Sequence, residues 1–443
     1  MRSWPLRSTA TDGETRGSSQ GSHIQVRPSA DPSGTRRSRR FSLAVSIVGG
    51  LSVFVLGAYA WQRATGRLTH GFVSYYTASR LLLSGEFGPE VYDDDWFRAR
   101  VQQTTASSVL EIFVPNPPSA ALLALPVAPL AAREARSAWL IVSLAAFVAA
   151  VSLLVREARE SRRTMAVVAV VLLSGAVFAN IRTAQAYLLM AAGCIAAARC
   201  LRRGSDGLAG LLLGIVVATK LTAVPWLALL VVGARWRALA ATLGTVGAMS
   251  GLTLWLGGVE AWARMPSAIA AFVVRPELSV TAYQTPLGFM RHLCVGNPTW
   301  NPAPAASCAP VAAVFPWRFV IGAFLAAAVL SRGARLDLVA AAGLCLSVLG
   351  VPIAEDHQFV LLTLPAFLVL TSPATPAWSV ALIAALLLAP AEWTIHRFTS
   401  GWWSLLAYPR LYAAGLLFGF VLMTMRSEKA RAGAAGSIPS CSG

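Results

Sequence analysis

An all-helical, polytopic integral membrane protein is the fold class this sequence predicts, on three observations. Of its 443 residues, 56% are hydrophobic and only 13% are charged. The mean hydropathy is +0.60, which leaves too little polar surface to clothe a soluble globule. Apolar runs recur along nearly the whole chain at about the 20-residue length a helix needs to cross a bilayer core. All but two of the 37 basic residues are arginines, gathered in short segments between those runs. That is the pattern of topology signals and not of a nucleic-acid groove, despite the net charge of +17.

Residues 1–40 are rich in Ser, Gly, Thr, Pro and Arg. They bury too little apolar surface to offset ordering entropy and read as a disordered basic cytoplasmic tail. The block Arg36, Arg37, Ser38, Arg39, Arg40 precedes the first run, 41–61, and holds that end inside. An external loop, 62–136, follows, and its apolar piece Ala120 to Leu130 is too short to span and reads as re-entrant or interfacial. Helix 137–155 returns to Arg156, Arg159, Arg162 and Arg163; helix 164–180 exits to the 180–185 turn; helix 186–200 returns to Arg199, Arg202 and Arg203. Residues 207–235 read as two half-length helices around Lys220 and Pro225. Helix 238–256 exits to a second external loop, 257–312, and helix 316–331 returns to Arg332 and Arg335. Helix 336–352 exits to Glu355, Asp356 and His357, and helices 358–371, 376–391 and 403–425 complete the catalytic domain, 41–425, before a cytoplasmic tail, 426–443. The sum is about twelve crossings with both termini cytoplasmic.

The six cysteines fit no metal-ligand spacing. Cys294 and Cys308 share one polar stretch and are candidates to pair if it faces an oxidising compartment.

The polar residues that topology leaves unexplained gather outside. Lys220 is sharpest: it stands in a run otherwise apolar from Leu211 to Val232 except for Thr219 and Thr222, and an ionisable group at membrane depth marks a site by default. It suits a lipid-linked phosphate as a point charge, against a snorkelling lysine as the bland alternative. His357, beside Glu355 and Asp356, suits phosphate binding or acid-base work, against an interfacial cap. Arg182 and Gln185 suit phosphate or sugar hydroxyls, against a connecting turn. In the first loop Asp93, Asp94 and Asp95 precede Trp96, with Glu111 further on. A carboxylate there can deprotonate an acceptor hydroxyl and an aromatic ring can stack on a sugar, but three Asp residues can equally cap a helix. The Asp run could bind a divalent ion, which leaves metal dependence open, but it shows no full ligand set; no phosphate-binding Gly-rich loop is present, and no cofactor is expected.

The order of features resembles glycosyltransferase family 87 across roughly 41–425. The resemblance rests on Gly71 to Gly85 (GFVSYYTASRLLLSG), with Tyr75 and Tyr76; on Pro117-Pro118 before a short Ala/Leu helix; and on the turn ending in Gln185. It continues with Gly207 to Pro225 (GLAGLLLGIVVATKLTAVP) and Glu355 to Phe359. It implies a GT-C membrane fold in a bacterial plasma membrane. It further implies inverting transfer of a sugar, mannose first, from a polyprenyl-phosphate carrier to a lipid or glycan acceptor on the external face. Lys220 and His357 match positions expected to hold the donor phosphate. The family's catalytic Asp commonly precedes the Phe of the first motif, where this chain has Gly71 after His70. The base therefore moves to Asp93, Asp94, Asp95, Glu111 or His70. Alternatives are a lipid or glycan flippase, or an inactive homologue that binds the carrier.

Overall fold

The computed structural model describes residues 32–64, 66, 68–158, 161–390 and 397–436. Most of the predicted N-terminal tail lies outside the described residues. Among those described the chain is helical, with no strand.

Helix α1 (Pro32–Ala64) starts before the first apolar run, so the basic block lies within it. The first loop then folds as α2 (Phe72–Ser84) and α3 (Asp94–Thr105). Next come α4 (Ala132–Glu157), α5 (Arg162–Leu172), α6 (Gly175–Thr183) and α7 (Tyr187–Arg202). The middle of the chain holds α8 (Asp206–Thr219), α9 (Val224–Val232), α10 (Trp236–Gly257), α11 (Glu260–Val273) and α12 (Pro286–Cys294). The last five are α13 (Ala309–Ser331), α14 (Leu336–Leu349), α15 (Thr363–Thr371), α16 (Ala377–Leu388) and α17 (Pro409–Gly436). Helix α17 therefore runs on through much of the predicted C-terminal tail.

Four of the described helices are long and apolar enough to cross a membrane: Ala132–Glu157, Arg163–Thr183, Trp236–Gly257 and Ala309–Ser331. A fifth is a pair bent by 57°, Gly401–Ala407 with Pro409–Arg431. Other apolar runs are shorter helices, because extended residues interrupt them. Lys220, at φ −148° and ψ 125°, parts α8 from α9, and Pro225 opens α9, where its missing N–H does no harm. The break lies where the sequence predicts two half-length helices around Lys220 and Pro225.

Helix α14 is the axis of the core. Every residue from Asp337 to Leu349 is buried, and α7, α9, α13, α15 and α17 pack around it. Gly343 permits the closest approach: a Cβ there would lie 2.7 Å from the Cβ of Trp226, a fully buried indole on α9. In contrast α10 and α13 expose Leu252, Trp255, Phe315, Ile321 and Val329, the apolar outer face that a bilayer covers.

The piece expected to be re-entrant, Ala120 to Leu130, forms two short 3-10 turns, Pro118–Leu122 and Leu125–Val127. Protein covers it: Ala120, Ala121, Ala124 and Ala128 are fully buried. Its carbonyls accept hydrogen bonds from α2, with Ser79 on Ala121 at 2.5 Å, Arg80 on Ala128 at 3.1 Å and Tyr76 on Leu130 at 2.8 Å. In the second loop Cys294 and Cys308 form a disulfide.

One end of the bundle is ionic. Glu157 pairs with Arg199 and Arg202, Asp337 with Arg202 and Arg335, and Arg335 with Glu428. Helix α7 runs from Arg202 at that end to Tyr187, and α14 from Asp337 toward Glu355. At 1.5 Å per residue these helices carry the chain about 20 Å across the molecule.

Candidate active site

At the far ends of α7, α8 and α14 lies a cavity of about 570 Å³ that brings together six predicted residues: Tyr75, Glu111, Gln185, Lys220, Glu355 and His357. Gly71, the position where a carboxylate was expected, lies among them. Its φ is +101°, and a Cβ would meet the Thr183 carbonyl oxygen at 2.5 Å and the Gln185 amide nitrogen at 3.1 Å. The backbone therefore excludes any side chain here. The Gly71 N–H instead donates to the Glu111 carboxylate, whose other oxygen accepts from the Ile112 N–H at 3.0 Å. The carboxylate missing from position 71 is supplied from 40 residues downstream. A Gly71→Ala variant should accordingly lose about 1–3 kcal/mol of stability. Thermal melts in detergent check this against Gly85→Ala, whose φ is also positive but whose Cβ meets nothing within 4 Å. An equal loss in the two variants would remove the steric argument.

Lys220 occupies the break between α8 and α9. Among the described residues no ion pair or hydrogen bond claims its ammonium, which lies 5.4 Å from the Tyr75 ring centroid and 5.6 Å from that of Tyr187. The Tyr75 hydroxyl donates to Gln185 at 2.7 Å, so the electron-rich ring faces stay turned to the cation. His357 packs on Tyr187 with centroids 5.2 Å apart, and its Nδ1 is 3.6 Å from Glu355. Asn180 ties this segment to the 180–185 turn, its amide donating to the His357 carbonyl at 2.6 Å. From α4, the buried Arg136 donates to the Arg182 carbonyl at 3.1 Å and Trp139 to that of Ala184 at 3.0 Å. Burial first, then the Glu111 and Asp356 carboxylates, push Glu355 up to about 7, against the pull of Lys220 and Arg182.

The structure does not bring the remaining predicted residues into this lining. Asp93 caps α3, accepting from the N–H groups of Asp95 and Trp96. The Asp95 side chain is 94% exposed and pairs with Arg98. Asp94 is held by Arg275 at 2.6 Å and by Arg98 at 3.8 Å, so it reaches the cavity only through arginines that do line it. His70 is exposed. Arg182 lies beside Tyr59 and Phe178 in a separate recess. Tyr76 braces Leu130, Trp96 lies under Arg100, and Asp356 pairs with the buried Arg410 at 3.3 Å. Among the described residues no three His, Cys, Asp or Glu side chains gather in metal-binding fashion.

Sequence reasoning missed Tyr187, Arg98, Arg275, Tyr283 and Trp300, all of which line the cavity. Tyr187 follows Gln185 by two residues and was findable by extending the turn. Nothing in the pattern of the two external loops singles out the others.

A model described as Glycosyltransferase family 87 matches residues 113–352 of the chain. No curated protein matches it.

Proposed function

Because the chain belongs to glycosyltransferase family 87, we propose that this cavity moves a sugar, mannose first, from a polyprenyl-phosphate carrier to a lipid or glycan acceptor on the external face of a plasma membrane. The GT-C architecture, with about twelve crossings, belongs to the same reading. The observation that carries it is the pairing in one chamber of an unclaimed ammonium, Lys220, with a backbone-held carboxylate, Glu111. The ionic cluster at the opposite ends of α7 and α14 supports an external cavity, since basic residues mark the cytoplasmic side.

In the proposed step Glu111 takes the proton of the acceptor hydroxyl while its oxygen attacks the anomeric carbon. The bond from that carbon to the phosphate oxygen breaks, and polyprenyl phosphate leaves as an anion held by Lys220 with His357 beside it. One displacement inverts the anomeric centre. Tyr75 and Gln185 position the ammonium and the wall behind it.

The test incubates protein in nanodiscs with radiolabelled polyprenyl-phosphate sugars and lipid and glycan acceptors. A labelled glycosidic product is expected; movement of carrier across vesicles with no new bond would favour a flippase instead. A pH dependence follows from Glu355. The donor phosphodiester keeps one negative charge across the neutral range. As the pH falls through about 7 Glu355 takes up a proton, which removes one of the two carboxylates, Glu355 and Glu111, that compete with the phosphate for Lys220; above it the Glu355 carboxylate competes. The groups that act on Glu355 are Glu111, Asp356, Lys220, Arg182 and His357, with the Tyr75, Tyr187 and Tyr283 hydroxyls also within its reach. The donor KM should therefore fall several-fold from pH 8 to pH 6, on the order of the tenfold that one proton per pH unit permits. Glu355→Gln should reduce the slope between pH 6 and pH 7, and an unchanged slope there in that variant would assign the dependence elsewhere.

A further inference from the structure

Three buried oxygens of the cavity have no hydrogen-bond partner among the described residues: Asn116 Oδ1, Thr222 Oγ1 and Gln358 Oε1. A buried acceptor without a donor is costly. Their residues line the chamber, so small side-chain rotations would present three acceptors to a ligand that brings several O–H groups. Thr222 and Gln358 neighbour Lys220 and His357 in the chain, at the end given to the donor. Asn116 lies on the same loop as Glu111, and a base must touch the hydroxyl it deprotonates, so the acceptor lies against that loop.

At the more exposed end of the cavity stands Trp300. It is 47% exposed yet lines the chamber, and it joins no core cluster and no ring pair. Its loop is rigidly built. Asn297 and Asn301 exchange backbone hydrogen bonds at 2.9 Å each way. The Asn297 side chain accepts from the Trp300 N–H at 2.9 Å, Asn301 donates to the His292 carbonyl at 2.6 Å, and the Cys294–Cys308 bond closes the base. An indole mounted firmly without core packing has a face free for a ligand. The arginines that line the same cavity are held by carboxylates: Arg275 by Asp94 and Glu277, Arg98 by Asp94 and Asp95. Two cations against three carboxylates leave no free positive charge there for an anionic acceptor, in contrast to Lys220, unpaired among the described residues.

Resting on the transferase reading above, we propose that the acceptor is a neutral saccharide, its ring stacked on the Trp300 indole and a hydroxyl donating to Asn116 Oδ1. Trp300 is then the residue that sets acceptor specificity, and an acidic or phosphorylated acceptor is disfavoured.

Two measurements on the full chain in nanodiscs test it. Saturation-transfer NMR with mannotriose and arabinotriose needs no turnover: signal is expected from wild type and from Glu111→Gln, and its loss from Trp300→Ala. In the transfer assay Trp300→Ala should raise the saccharide KM by about tenfold or more with the donor KM unchanged, and Trp300→Phe should restore most of it. Trp402→Ala, which removes another exposed indole, should change neither and controls for an interfacial anchor. An unchanged saccharide KM and unchanged NMR signal in Trp300→Ala, a loss shared with Trp402→Ala, or tighter binding of a phosphorylated trisaccharide would each overturn the inference. Saccharide binding at Trp300 with no product from any donor would instead sink the transferase reading and leave a neutral-glycan site.

Discussion

Replacing Glu111 with glutamine should lower kcat by about 10²- to 10⁴-fold, the range a general base contributes, while donor binding stays near wild type. Glutamine keeps one oxygen to accept from the Gly71 N–H and gives up only the local bond from the neighbouring Ile112 N–H, so the loop and α2 stay joined and the loss is chemical. Asp94→Asn should cost less than about tenfold in kcat/KM, because that carboxylate is engaged by Arg275 and Arg98 and a rim ion pair is worth little. Asp95→Asn, on a side chain turned to solvent, should be neutral. Carrier binding and single-turnover rates measured on the three variants separate the cases. Full turnover in Glu111→Gln with loss in Asp94→Asn would move the base to the Asp run. Full turnover in all three would leave His70 as the carboxylate-free alternative.

That contrast also marks where the sequence was legible. Hydropathy and arginine placement suffice for a helical membrane protein, since both follow from solvent physics along the chain. Motif order was enough to recognise the family. The convergence of Tyr75, Gln185, Lys220, Glu355 and His357 was readable because each stood as a polar exception in, or just beyond, an apolar run. The base was not. Three adjacent aspartates are more conspicuous than one glutamate, yet Asp93 is used to cap α3 while Glu111 is aimed at Gly71 by packing between α2 and a loop 40 residues away. A one-dimensional reading sees the missing carboxylate at position 71 but not the Thr183 carbonyl that forbids one there. Trp300 was hidden for the same reason: only the closed loop between Cys294 and Cys308 turns it toward residues nearly two hundred positions earlier.

Lys220→Met should separate function from stability in opposite directions. The substitution keeps an unbranched stem between Tyr75 and Tyr187 and removes only the ammonium. Loss of one preorganised charge on the leaving phosphate should lower transfer by about 10²- to 10³-fold, and carrier affinity should fall with it because the same charge holds the ground-state phosphodiester. The fold, however, gains only two ring contacts from a cation that makes no ion pair among the described residues, about 1 kcal/mol each, while an ionisable group at membrane depth costs about 2.5–3.5 kcal/mol on insertion scales. The variant should therefore melt at or above the wild-type temperature, as expected when a strained functional group is removed. Lys220→Arg should not rescue, since a planar fork does not fit a site shaped around a point charge between two rings. Melting curves, carrier binding and turnover on the same preparations decide the matter. A Lys220→Met protein that melts lower and keeps its carrier affinity would make the lysine a structural anchor, and the phosphate would then have to be sought near Arg275 and Arg98, the other cations of the cavity.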